Sequence, residues 1–142
     1  MKHFRHYILL LLPLLLVAGC GGWQPSVQKT QKMVTVEMDK ANKLLAGKYL
    51  DNMTILDSIT FDGKNVVYHN TIDEDRAQMT IKDFMDAPVK DALEFNLQLT
   101  WATNPNMEPL KNRIKRLNGM IYYHYFGSRT GDSFSIEIDP ED

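Results

Sequence analysis

Residues 54–72 constrain the fold of this chain more than any other stretch. Thr54-Ile55-Leu56-Asp57-Ser58-Ile59-Thr60-Phe61 is rich in β-branched side chains that suit a pleated, half-buried surface. Asp62-Gly63 is a turn dipeptide, since glycine accepts a positive φ without a steric penalty. Asn65 to Ile72 then reads as a returning strand, which predicts a β-hairpin over 54–72. A second hairpin follows near the other end. Ile121, Tyr123 and Tyr125 alternate with Tyr122, His124 and Phe126, Thr130-Gly131-Asp132 turns the chain, and Phe134, Ile136 and Ile138 alternate with Ser135 and Glu137.

Helical periodicity fills the rest. Val34, Met38, Ala41 and Leu45 recur at helical spacing and predict a helix from about Val27 to Ala46, stopped by Gly47. Asp73-Glu74-Asp75 should precede a helix near Arg76 to Met85. Pro88 suits the first turn of another, with Val89, Leu93, Leu97 and Trp101 on one face. Phe95, Leu97, Leu99 and Trp101 also alternate as a strand would, but Lys90-Asp91-Ala92-Leu93-Glu94 favours helix. A short helix is predicted from Glu108 to Leu117, ended by Asn118-Gly119. The expected fold class is α+β. An N-terminal helix precedes two β-hairpins that form an antiparallel four-stranded sheet, and the helices between the hairpins pack on one face.

The first twenty residues are of another kind. Lys2 and Arg5 precede an apolar run from Tyr7 to Val17, a secretory signal pattern. Val17-Ala18-Gly19-Cys20 resembles the bacterial lipoprotein cleavage box. That resemblance implies removal of 1–19 and lipid (palmitate among the acyl groups) on Cys20, with 20–27 a short tether and 28–142 one α+β domain. Several acyl chains hold a protein on a bilayer stably where one does not. By resemblance to enterobacterial lipoproteins, Gly21, being other than Asp, implies sorting to the outer membrane, facing the periplasm.

Cys20 is the only cysteine. The predicted domain therefore has no disulfide, thiol nucleophile or cysteine-bound metal, and packing must hold it. The leader takes 2 of the 16 Lys and Arg, leaving 14 against 18 Asp and Glu, a balance that argues against a nucleic-acid partner. No G-x-S-x-G elbow, phosphate loop, HExxH or CxxC is present. No enzyme activity, cofactor or metal is expected. His69 and His124, on different hairpins, could meet across the sheet, with Asp57 as a third group, but two imidazoles fall short of the three or four ligands zinc takes. Tyr122, His124 and Phe126 are the candidate partner-binding aromatics, weighed against a role in cross-strand pairing. Lys111, Arg113, Lys115 and Arg116 could touch anionic headgroups or form a solvated helix face.

A wider pattern runs through Leu56-Asp57-Ser58-Ile59-Thr60, Val67-Tyr68-His69-Asn70-Thr71, Asn104-Pro105, Gly119-Met120-Ile121-Tyr122-Tyr123-His124-Tyr125 and Ile138-Asp139-Pro140-Glu141-Asp142. It resembles small bacterial envelope lipoproteins and is distantly similar to the α/β type II secretion pilotins, which bind a short helix of the outer-membrane secretin. The resemblance implies a disulfide from the central helix to the C-terminus, and here Trp101 and Ala102 stand at that helix end without a cysteine. The expected function is a lipid-anchored, non-enzymatic binding or assembly module of the envelope, joined to the membrane through Cys20 and to an envelope protein. A small hydrolase using His69 or His124, or an inhibitor of an extracellular enzyme, is the alternative.

Overall fold

The computed structural model describes residues 25–142, so the leader, Cys20 and the first part of the tether lie outside the described residues. Helix α1 (Val27–Leu45) starts where the Ser26 side chain accepts the Lys29 N–H at 3.2 Å. It buries Thr30, Val34, Met38, Ala41 and Leu45, one residue per turn along a single stripe. Gly47, at φ 79°, turns the chain into the sheet.

The sheet has five strands, β1 (Lys48–Tyr49), β2 (Thr54–Phe61), β3 (Val66–Ile72), β4 (Ile121–Gly127) and β5 (Ser133–Ile138), ordered β1-β2-β3-β4-β5. It is mixed. The pairs β1–β2, β2–β3 and β4–β5 are antiparallel, while β3 and β4 run parallel from Val66↔Ile121 to Ile72↔Gly127. This corrects the expected antiparallel four-stranded sheet in two respects. The chain between the hairpins crosses back over the sheet before β4 begins, and a crossover yields parallel neighbours where a tight turn yields antiparallel ones. The fifth strand is the two-residue β1, which adds to the free edge of β2 beside Leu56 and Ile55.

The crossover carries four helices, α2 (Glu74–Ala77), α3 (Ile81–Met85), α4 (Ala87–Thr103) and α5 (Glu108–Arg116). The helix expected near Arg76 to Met85 is two, because Gln78 takes a left-handed φ of 54° and Thr80 opens a new capping box with Asp83. In α4 the helical reading prevails over the alternating one: Leu97 and Trp101 are buried one turn apart, and Phe95 and Leu99 face solvent.

Buried residues on the strands alternate with half-buried or exposed ones. Leu56, Ile59, Val66, Tyr68, Ile72, Ile121, Tyr125, Phe134, Ile136 and Ile138 join Val34, Met38, Ile81, Phe84, Trp101 and Ile114 of the helices in one core. Asn42 of α1 covers the edge of β2 where β1 does not reach. Its Nδ2 donates to the Ile59 carbonyl at 2.7 Å, and its Oδ1 accepts the Ile59 N–H at 2.7 Å. An unpaired edge is a site for unwanted strand addition. Asn42→Ala is expected to cost about 2 kcal/mol, the loss of two part-buried hydrogen bonds, read as a lowered urea midpoint with an unchanged slope.

Candidate functional site

The inward face of the sheet ends in an aromatic row. Tyr68 of β3 stacks on Tyr123 of β4 with ring centroids 4.7 Å apart and planes 6° from parallel. Tyr125 stacks on Phe134 at 5.0 Å, and Trp101 meets Tyr68 edge-on at 6.4 Å. The row arises because β3, β4 and β5 each place an aromatic on the same face at paired or adjacent register positions. Trp101 donates its Nε1–H to the Tyr123 hydroxyl at 2.9 Å, which ties α4 to the centre of the sheet.

Between this row, α1 and α4 lies an apolar cavity of about 170 Å³. Leu56, Ile59, Tyr68 and Tyr125 line it from the sheet, Met38 and Leu45 from α1, Leu93 and Leu97 from α4, and Leu110 from α5. Tyr68 and Tyr125, 8% and 5% exposed, are buried in its wall. Burial, with smaller contributions from Tyr123 and Glu37, pushes the Tyr68 hydroxyl up. Burial, then Tyr123 and Asp51, does the same for Tyr125. Unlike Tyr123, neither has a hydrogen-bond partner among the described residues. No oxygen sealed from solvent-sized space lacks a partner among those residues, so these two hydroxyls open onto free volume, and the cavity is the volume they line.

Two carboxylates border the same space. Asp51 Oδ1 accepts the N–H groups of Met53 at 2.8 Å and Thr54 at 2.7 Å, fixing the loop before β2. Glu37 pairs with Arg113 of α5 at 2.8 Å, with side-chain exposures of 16% and 12%. Burial raises the Glu37 carboxyl, and the Arg113 charge opposes that rise. Arg113→Met therefore strands a carboxylate in a half-dry position and is expected to cost about 3 kcal/mol. Adding Glu37→Gln should recover most of that loss in the same thermal melt.

The sequence-predicted residues lie on the opposite side of the sheet. His69 and His124 pair directly across the parallel ladder, with ring centroids 6.1 Å apart and planes at 75°. Tyr122 and His124 are half-buried, and Phe126 is 45% exposed. Asp57 does not join the imidazoles. It sits at a bulge in β2, where its carboxylate accepts the Thr71 hydroxyl at 2.7 Å, while His69 Nε2 lies 2.8 Å from the Thr60 hydroxyl. Among the described residues no three His, Cys, Asp or Glu side chains gather as a metal site. In the basic stretch, Lys111 pairs with Glu108, Arg113 with Glu37 and Lys115 with Glu141, so most of its charge is met within the chain. Cys20 lies outside the described residues. Attention to the outward row, Tyr122, His124 and Phe126, missed the inward one. Its signal is in the same strand, since an aromatic at every second position of Tyr123-His124-Tyr125, facing another in Tyr68, marks a row across the sheet.

No protein-family model and no curated protein matches the chain. Among solved structures it is similar to that of "a putative secreted protein" from Pseudomonas aeruginosa, with a TM-score of 0.60 and 14% identity. The match covers 83% of this chain and 96% of the other. Among the described residues no helix is long and apolar enough to cross a membrane. At that identity the likeness speaks for the fold alone: the helix, mixed sheet and crossover belong to an architecture that a distant bacterial sequence also adopts.

Proposed function

We propose that this chain is a lipid-anchored, periplasm-facing module of the bacterial envelope that binds an apolar ligand and catalyses no reaction. The observation that carries the proposal is the cavity of about 170 Å³, walled by aliphatic and aromatic side chains, between sheet and helices. A well-packed core of this size holds few voids larger than a water molecule, and a largely apolar cavity is a binding site for apolar groups. Among the described residues the imidazole of His69 lies against the Thr60 hydroxyl and Asp57 is held by Thr71 instead, which favours binding over hydrolysis. The comparison protein's description as secreted accords with a leader that ends before Cys20. The resemblance to pilotins extends the proposal to an envelope protein partner, and the outward row with Phe126 exposed and Tyr122 and His124 half-buried is a separate candidate for its contact.

Two measurements test the anchor and the ligand. Cys20→Ser should leave an uncleaved precursor that takes up no labelled palmitate, and label that survives the substitution would remove the anchor from the proposal. Gly21→Asp should shift the protein to the inner-membrane fraction of a density gradient. The binding claim is tested on the full chain held in lipid nanodiscs, with the methyl resonances of Met38, Met53 and Met107, which line the cavity, followed by NMR as benzene is added. Saturable shifts confined to those methyls are expected, and their absence would sink the ligand-binding reading.

A further inference from the structure

The cavity wall is not uniformly greasy, and its polar groups limit what it accepts. We infer that its ligand is an uncharged single-chain amphiphile, an alkyl alcohol or ester, with about six carbons in the cavity and its oxygen held by Tyr68 and Tyr125. The inference rests on the ligand-binding reading above and names the ligand's chemical class.

Three observations converge. The first is volume: about 170 Å³ is close to the roughly 150 Å³ apolar cavity known to take a benzene ring, hence about six carbon atoms. The second is the tyrosine pair. Both side chains are more than nine-tenths buried, both line the cavity, and neither hydroxyl has a hydrogen-bond partner among the described residues. Each hydroxyl faces the free volume of the cavity, so its hydrogen bond is made by whatever fills that volume, water or the polar atom of a ligand. The third tyrosine of the row is satisfied by Trp101, which leaves these two as the pair in need. The third observation is charge. The ionisable acids lining the cavity are Glu37 and Asp51, and both lie near enough to act on the tyrosines, Glu37 on Tyr68 and Asp51 on Tyr125. A fatty-acid carboxylate would be desolvated beside Asp51 and the Glu37–Arg113 pair, with no Lys or Arg among the lining residues to offset the loss. An ammonium could donate to the tyrosine oxygens, but Glu37 is already paired with Arg113 and Asp51 already holds the Met53 and Thr54 N–H groups, so its desolvation would go largely uncompensated. A neutral hydroxyl or ester oxygen meets neither obstacle.

The test uses the full chain in lipid nanodiscs, the cavity methionine methyls as reporters, and three probes: 1-hexanol, hexanoate and benzene. 1-Hexanol should bind at least about tenfold more tightly than hexanoate at neutral pH. The double substitution Tyr68→Phe and Tyr125→Phe keeps the ring shapes and removes both oxygens. It should weaken 1-hexanol by about tenfold and leave benzene unchanged. Equal binding of alcohol and carboxylate, or alcohol binding indifferent to the double substitution, overturns the inference while benzene binding keeps the apolar-cavity reading intact. Failure of all three probes overturns both.

Discussion

Glu74→Ala is expected to destabilise the protein by about 4 kcal/mol, because one carboxylate satisfies donors from two separate segments. Glu74 is 1% exposed, at the start of α2. Its Oε2 accepts the Ile81 N–H at 3.0 Å, where α3 begins. Its Oε1 accepts the N–H groups of Arg129 at 2.9 Å and Thr130 at 2.8 Å, in the β4–β5 turn, and the Thr130 hydroxyl reaches both oxygens at 3.0 Å. Removing the carboxylate leaves the buried Ile81 N–H and the part-buried donors of Arg129 and Thr130 without their acceptor. Gly127 shows how closely the site is built: a Cβ there would meet Glu74 Oε1, Ile81 and Thr130. The same geometry sets a pH dependence. Burial alone pushes the Glu74 carboxyl up, but the donors of Thr130, Arg129 and Ile81 outweigh it and bring it down to about 2 from an ordinary value of 4.5. A lowered folded-state value means stability that is present in full above pH 4.5 and drains away as pH falls toward 2. Urea unfolding at neutral and acid pH checks both points. Glu74→Gln should lose stability at neutral pH and show a flatter decline on acidification. A Gln variant as stable as the parent at neutral pH would refute this account of the site.

Gly119→Ala should be at least as damaging, at about 4 kcal/mol or outright failure to fold. The φ of Gly119 is not the difficulty. A Cβ at this position would collide with the Lys64 backbone carbonyl and press on Ile114. Neither side can yield cheaply, because the two loops are bound together. Val66 N–H donates to the Met120 carbonyl at 3.1 Å, and Met120 N–H donates to Asn65 Oδ1 at 2.9 Å. The control is Gly47→Ala. Gly47 has a positive φ of 79° but nothing within 4 Å of a new Cβ, so the cost should be about 1 kcal/mol. Comparable thermal shifts in the two variants would show that the β3–β4 junction is looser than its contacts imply.

Strands, helices, faces and the two hairpins were largely readable from the chain, and the way the hairpins join was not. Residues 54–72 form a hairpin because β-branched runs flank a turn, although the turn spans Asp62 to Asn65, with Asp62 Oδ1 accepting the N–H groups of Lys64 and Asn65. Val34, Met38, Ala41 and Leu45 are buried at the spacing that announced α1. The parallel junction left no local mark. Whether Tyr68 neighbours Tyr123 in a parallel or antiparallel sense depends on the path taken from Asp73 to Met120, and alternation within a strand carries no record of that path. β1 is two residues long, too short for periodicity to register. The cavity was equally hidden, since it exists only where α1, α4 and the sheet face meet without filling the space between them.

The parallel junction also sets an order of events. The ladder between β3 and β4 joins the middle of the sheet, and its two strands are separated in the chain by every helix after α1. The first hairpin and α1 can meet early, but their buried face lacks its centre until Ile121 to Gly127 has emerged and docked. Assembly of this protein is thus held back to its last quarter. Contacts of such high sequence separation slow folding.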